Sequence, residues 1–565
     1  MRAVFLPVAN NDLEQAKDRD PQTGVTGSTV YASAVLKALL EFGSYDRYYV
    51  MVGPEQGCLA TADGRRRVNL ISTDNLPRFS HSDEVIFFAA QPALHILSPW
   101  RRSLGVMAAP LSGIIHSMHT RLFFMLLMRL LLTGDLHSYD ALICSSRAGK
   151  IVVEKGLARI ALQFKQMYGS SAEFQPQLPV IPLGVRVSDF QFRNRDALRA
   201  NCGFTNDAVV FLYLGRFSAM DKADLAPMII AFCRNVAPRC PAARLVLAGD
   251  DTAHKLTPSL QGLAAGLNSA DRILIRANVS REHKSELLAA ADVFVSPSDN
   301  IQETFGITLI EAMAAGLPVL ASDWDGYKDI VVHGRTGFLI PTYMYPMDSS
   351  KPTSLASLYP LAPFLAAKTV VDVESWTQYA LDLALHPDLR RSMGAEARLQ
   401  AEKTYDWSVV IRGYEELWSE LSARAGVAKS SPLSVGNFSF DEMTFESIFD
   451  HYPTAYLGGQ ALQASPGAAA LLQKPEVVAH LLQPARVFEN RVFAAVLSAI
   501  EILKTAAADE LVSRIVREQA LPAARVHLHL ARMMKFGLIS LVDDCRREDL
   551  TNSELAPIRG VAAAQ

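Results

Sequence analysis

The stretch Phe294–Gly326, FVSPSDNIQETFGITLIEAMAAGLPVLASDWDG, restricts the fold of this chain more than any other. It opens on an apolar, β-branched run that breaks into Ser296-Pro297-Ser298, the pattern of a buried strand running out into a loop. Ile307 to Ala315 repeats apolar residues at helical spacing, with Gly316 as a stop and Pro318 just beyond it. Pro318 to Ala321 then reads as a second strand. Strand, loop, helix and strand in succession make one βαβ crossover. That unit demands a parallel sheet with helices on its faces.

Two carboxylates flank the start of the predicted helix. Glu303 lies in the loop, and Glu311 follows eight residues later inside the helix. A helix N-terminus beside a glycine presents free backbone N–H groups and the positive end of a dipole, which suits a phosphate. Carboxylates have the wrong charge for phosphate, but they are strong acceptors for sugar hydroxyls. A diphosphate at the helix start, a ribose near Glu311 and a hexose near Glu303 would satisfy all three groups together.

In the setting SPSDNIQETFGITLIEAMAAGLPVLASD, this glutamate pair closely resembles that of the retaining GT-B glycosyltransferases of family 4. The resemblance implies an α/β chain of two Rossmann-like domains facing across a cleft, and it covers about three-quarters of the sequence. The expected division is residues 1–182 for an acceptor-side domain and 183–405 for a domain that binds the nucleotide sugar. A closing helix over 406–425 would cross back to the first domain. A linker over 426–436, rich in small residues and proline, leads to a mostly helical appendage over 437–565.

Further stretches fit the same scheme. Strand Ala3–Val8 leads through Thr23-Gly24-Val25-Thr26-Gly27-Ser28 into a helix, and Gly24 and Gly27 match the family's loop over the donor phosphates. Gly113 to Thr120 reads as a strand end bearing His116 and His119; the pattern His-Ser-x-His-Thr favours His119 as the functional one. Val180 to Val185 resembles the family's Ile-Pro-x-Gly-Val at the hinge. Arg216 and Lys222 follow the strand Val209–Leu214, a bidentate fork and a point charge suited to neutralising a leaving diphosphate without a metal. The resemblance therefore implies Glu303, His119, Arg216 and Lys222 as catalytic. It adds Gly24, Gly27, Thr304, Phe305, Gly306, Ile307 and Glu311 as donor-binding, with no metal and no cofactor. Asp323-Trp324-Asp325 looks like a metal-binding motif of a different fold, but its position is that of a plain loop. Pro341 to Lys368 forms an insertion longer than the family has there.

Composition removes several classes. Lys and Arg number 55 against 58 Asp and Glu, a balance that argues against nucleic acid as a partner. The six cysteines are scattered without a C-x-x-C pair, as in a reduced, cytoplasmic protein. Arg121 to Leu132, apolar on nearly every face, reads as a buried helix; at about a dozen residues it falls short of the ~20 needed to span a bilayer. The sharper alternative is an interfacial helix anchored by Trp100, Arg101, Arg102, Arg121 and Arg129, giving peripheral contact with a membrane.

In the appendage, Leu528 to Asp543 resembles the end of a winged-helix module, and self-association is the expected use of its apolar faces. A chain ending near Lys429 is expected to fold and to keep donor binding. The whole reads as a hexosyltransferase that takes a nucleotide sugar donor and an acceptor hydroxyl on a saccharide, a lipid-linked saccharide or a small molecule. A phosphorylase or sugar-nucleotide epimerase of the same fold, distinguished by its acceptor requirement, is the nearest alternative. A non-catalytic nucleotide-sugar-binding protein is the more distant one.

Overall fold

Runs such as Val209–Leu214 (VVFLYL) are apolar at every position, and a strand of that kind is stable only where helices cover both faces of its sheet. The computed structural model describes residues 1–7, 27–51, 68–71, 76–80, 82–118, 120–133, 136–169, 171–301, 303–346, 358–426, 448–482, 488–503 and 505–542. Gly24, His119 and most of the 426–436 linker lie outside the described residues.

Among the described residues twelve strands build two parallel six-stranded sheets. The first contains β1 (Arg2–Pro7), β2 (Arg47–Met51), β3 (Val68–Ile71), β4 (Glu84–Ala89), β5 (Leu111–Ile114) and β6 (Ala141–Ile143), in the order β3-β2-β1-β4-β5-β6. The second contains β7 (Val209–Leu214), β8 (Ala243–Gly249), β9 (Ile273–Ala277), β10 (Val293–Ser296), β11 (Val319–Ser322) and β12 (Gly337–Ile340), in the order β12-β11-β10-β7-β8-β9. In each sheet the winding reverses between its first and fourth strands. The gap opened beyond the carboxyl ends of such a pair is where open α/β sheets bind ligands. In the second sheet that pair is β7 and β10, with Val293 against Phe211. The fold is the GT-B arrangement of two Rossmann-like domains with a further, mostly helical C-terminal region.

Helix Trp407–Ala425 returns to the first domain. Tyr414 shares a hydroxyl–hydroxyl hydrogen bond of 2.7 Å with Tyr31, and Trp418 Nε1 donates to Ser112 Oγ at 2.9 Å. Both partners are buried. Helix Arg121–Leu132 is not buried all round: it covers Phe123, Phe124, Leu127, Leu130 and Leu131 but leaves Leu122 73% exposed. Among the described residues no helix is long and apolar enough to cross a membrane.

The insertion after Pro341 and the C-terminal region turn out to be made for each other. The insertion supplies β13 (Thr342–Met344) and helix Leu358–Lys368 and leads into β14 (Thr369–Val371). Strand β15 (Ala455–Tyr456), from beyond the linker, joins β13 in parallel while β14 joins it antiparallel. The segment before β15 also reaches the first domain. The Phe449 ring meets that of Phe124 edge-on at 6.5 Å, and His451 Nε2 donates to the Ala148 carbonyl at 3.1 Å.

The remainder described is a small three-stranded sheet of β16 (Ala461–Ala464), β17 (Thr505–Ala507) and β18 (Ile539–Leu541), in the order β17-β16-β18, with helices Ala468–Leu472, Pro475–Leu481, Asn490–Leu503, Ala508–Gln519 and Ala523–Lys535. Helix Ala523–Lys535 buries Val526 and every residue from Leu528 to Lys535. In a winged-helix unit bound to DNA the corresponding helix would have to enter a groove; here it lies against helix Leu358–Lys368 and β14. Its apolar side is used within the chain: Leu530, Met533 and Phe536 belong to the same core as Phe211, Met228 and Trp376 of the second domain.

This packing revises the expectation for a chain ending near Lys429. Without the C-terminal region Asp224 and Asp299, both buried, lose the cations Arg532 and Lys535. Removing one partner of a buried pair costs roughly 3–5 kcal/mol, and a domain has only ~5–15 kcal/mol in total. A chain cut near Lys429 should therefore give no cooperative thermal transition by circular dichroism; a melt close to that of the full chain would refute the dependence.

Candidate functional site

The site forms where β7 and β10 end. Gly215 and Arg216 leave β7, and the Tyr213 hydroxyl donates to the Arg216 carbonyl at 3.1 Å. The end of β8 presses against this turn: Gly249 has φ of +149°, and a Cβ there would lie 1.9 Å from the Gly215 carbonyl oxygen. Only glycine permits that approach. The next residues carry two cations. Arg216 pairs with Asp221 at 3.0 Å on the surface, whereas Lys222 pairs with Glu303, both largely buried.

The loop after β10 is tied to the Lys222 turn through main-chain acceptors. Ser298 Oγ donates to the Lys222 carbonyl at 3.1 Å, and Asn300 Nδ2 donates to the same oxygen. Gly306 then starts helix Ile307–Ala314 with φ of +125°, and a Cβ there would meet the Tyr327 ring at 2.6 Å. No side chain caps this helix, so its leading N–H groups are left for another acceptor. Thr304 and Phe305, just before it, are buried, and Ile307 is partly buried.

Across the cleft, Ser146 Oγ of the first domain donates to the Thr304 carbonyl at 2.8 Å. The adjacent Arg147 guanidinium reaches Asp329 at 2.6 Å. The two domains thus meet directly over the loop that carries Glu303.

Glu311 faces inward from the same helix and is gripped by Lys284 Nζ, at 2.8 Å from one oxygen and 2.6 Å from the other. Glu303 and Glu311 therefore each have their own lysine. Lys284 was not singled out from the sequence. It stands in the amphipathic helix Arg281–Ala290, where a lysine has the look of an ordinary solvated residue.

Other sequence candidates are placed as follows. Gly27 is the first residue of helix Gly27–Phe42. His116 follows β5; its Nε2 donates to the Ala90 carbonyl at 2.5 Å, and its ring meets that of Tyr31 at 5.1 Å. Burial pushes its pKa down to about 4 against the opposing effect of that hydrogen bond, so the ring is neutral at neutral pH with Nδ1 as acceptor.

Asp323-Trp324-Asp325 is not an open pair of ligands. Asp323 accepts from Thr454 Oγ1 at 2.7 Å, while Asp325 is fully buried near Tyr452, and burial raises its pKa well above the carboxylate range. Among the described residues one group of metal-capable side chains occurs, Cys202, His283 and Glu286, with ligand atoms within 4.8 Å of one another. It includes neither Glu303 nor Glu311.

Residues 194–351 match the model of one family, the glycosyl transferases group 1. That span contains Arg216, Lys222, Glu303 and Glu311. Over 247 residues the chain is 29% identical to the D-inositol 3-phosphate glycosyltransferase of Streptomyces scabiei, covering 43% of this chain and 48% of the relative. It is 31% identical over 239 residues to the phosphatidyl-myo-inositol mannosyltransferase of Mycobacterium tuberculosis, covering 42% and 53% respectively. The chain thus spans about half the length of these curated relatives. Among solved structures, a sucrose-phosphate synthase from Thermosynechococcus elongatus aligns over 75% of this chain and 100% of its own, with 17% identity and a TM-score of 0.49.

The neutral His116 gives a pH test. The unfolded chain takes up a proton near pH 6.5 and the folded chain only near 4, so this residue's share of stability is present above 6.5 and is lost as the pH falls toward 4. His116→Gln keeps a donor for Ala90 and has nothing to protonate. Its stability relative to wild type should rise by up to about 3 kcal/mol between pH 7 and pH 4, measured by urea titration at each pH. A constant difference would show that His116 charges freely in the folded protein.

Proposed function

We propose that the chain is a retaining glycosyltransferase that moves a hexose from a nucleoside diphosphate sugar to an acceptor hydroxyl without a metal. The observation that carries this reading is the convergence of Lys222, Glu303, Glu311 and an uncapped helix start at the β7–β10 switch point. The family match over residues 194–351 supports it.

In this reading the diphosphate lies against the N–H groups at Gly306 and Ile307, with Arg216 and Lys222 supplying positive charge as the sugar departs. These groups act where negative charge develops, which is the efficient place for them. Glu311 receives the ribose hydroxyls and Glu303 the hydroxyls of the hexose, each moving off its lysine to do so. The bond between the anomeric carbon and the phosphate oxygen breaks while the acceptor oxygen bonds to the same face. The acceptor proton passes to the departing phosphate, so no protein base is required. His119 orients the sugar or acceptor, and Gly24 and Gly27 approach the donor phosphates. The acceptor is a saccharide, lipid-linked saccharide or small molecule held by the first domain.

Three measurements test the reading. Thermal shift against a panel of nucleotide sugars should reveal a stabilising donor by mass action. Saturating EDTA should leave turnover of that donor unchanged; abolition would contradict a metal-free mechanism. Calorimetry with the matching nucleoside diphosphate should show Glu311→Ala weakened by on the order of 2 kcal/mol through loss of charge-assisted contacts. Glu303→Ala should instead bind normally and lose turnover. Equal nucleotide affinity of wild type and Glu311→Ala would remove Glu311 from the ribose.

A further inference from the structure

Helix Ala523–Lys535 of the C-terminal region places two cations directly behind the candidate site. Arg532 Nη1 donates to Asp224 Oδ2 at 2.6 Å, with side-chain exposures of 4% and 6%. Lys535 Nζ is ion-paired with Asp299 Oδ2, with exposures of 2% and 1%. The two carboxylates are themselves joined, since the Asp224 backbone N–H donates to Asp299 Oδ2 at 3.3 Å.

Each carboxylate belongs to one of the loops described above. Asp224 is two residues beyond Lys222, and Asp299 lies between Ser298 and Asn300, the two side chains that hold the Lys222 carbonyl. The opposite end of the same loop bears Glu303, whose partner is the Lys222 ammonium. Contacts therefore lead from the C-terminal helix through Asp224 and Asp299 to the two loops that carry Lys222 and Glu303. The same two side chains also tie the helix to its other neighbours. Arg532 Nη2 donates to the His480 carbonyl at 2.6 Å, and Lys535 Nζ donates to that of Ala366, in the insertion, at 3.3 Å.

We infer that Arg532 and Lys535 are positioning residues for the transfer reaction, clamping the Lys222 turn and the Glu303 loop in register through Asp224 and Asp299. Neither touches substrate, and the meaning of the register rests on the glycosyltransferase reading. The physical basis is that a buried carboxylate must be paired, so each loop can take up this position only while its cation is present. The two loops come from different strand ends, and they touch through the hydrogen bonds of Ser298 and Asn300 to the Lys222 carbonyl, that of the Asp224 N–H to Asp299, and the Lys222–Glu303 pair. The ion pairs give them a common rigid support outside the sheet.

The full-length chain can be tested with Lys535→Met, the conservative Lys535→Arg, and Met533→Ala. Met533 is fully buried on the same helix and serves as a packing control. Amide hydrogen exchange across residues 215–224 and 297–306 needs no substrate. Lys535→Met should accelerate exchange in both loops about tenfold. With a donor that wild type turns over, it should lower kcat about tenfold while changing donor KM by less than about threefold. Lys535→Arg should restore most of both, and Met533→Ala should lower Tm with loop exchange and kcat within about twofold of wild type.

Unchanged loop exchange in Lys535→Met would overturn the inference. So would equal loosening and equal loss of turnover in Met533→Ala at the same drop in Tm. If Lys535→Met does not fold, the charge-free pair Asp299→Asn with Lys535→Met takes its place, and native exchange in both loops then refutes the clamp. If wild type turns over no nucleotide sugar, the glycosyltransferase reading fails, and the exchange measurement still decides whether the helix positions the loops.

Discussion

Asp224 and Asp299 are charged groups placed out of reach of water, and much of the structure follows from that constraint. Burial alone would drive both toward the neutral form. For Asp224 the nearby Arg532 and Lys535 outweigh burial and hold it below the ordinary range; for Asp299 burial wins, and its pKa is raised to about 6. In either case the cations come from a helix more than two hundred residues further along the chain. The second domain and the C-terminal region therefore share a core and a polar seam. The insertion after Pro341 completes the arrangement, since it supplies the strand that receives β15 and the helix on which Ala523–Lys535 rests.

The candidate site follows from topology as much as from residue choice. Two parallel sheets of reversed winding each leave a crevice at the carboxyl ends of the strands. In the second sheet that crevice receives the Lys222 turn from β7, the Glu303 loop from β10 and an uncapped helix start. A ladder of paired charges results, Lys222 with Glu303 and Lys284 with Glu311. The first domain closes over it through Ser146 and Arg147, and the segment around Phe449 and His451 stitches the domains together along one side.

The βαβ stretch was legible because strand and helix periods differ, so VFVS, ITLIEAMA and VLAS cannot be exchanged for one another. Glu303, Glu311, Arg216 and Lys222 were singled out because the motifs around them resemble those of a known family, and the structure pairs Lys222 with Glu303. Lys284, Arg532 and Lys535 were not. A cation in an amphipathic helix has the same local pattern whether it faces solvent or a buried carboxylate, and only the opposing element distinguishes the two. Leu122 failed in the other direction. Its helix is apolar on nearly every side, yet the neighbouring elements cover only one of them.

The sequence by itself therefore determined the class of fold, the second domain's crossover and the chemical character of the groups gathered at the strand ends. The crossover is set by spacing within a few tens of residues, where covalent geometry dictates which side chains share a face; the two-domain class was what the resemblance of the motifs implied. Tertiary structure alone decided that Lys284 faces Glu311, that Asp323 and Asp325 are closed off by Thr454 and Tyr452, and that the C-terminal helix is part of the second domain's interior. Those outcomes depend on which distant surfaces become buried against each other. A charge's partner across such a surface is fixed by the cost of leaving it unpaired in the interior, a cost that no local pattern records.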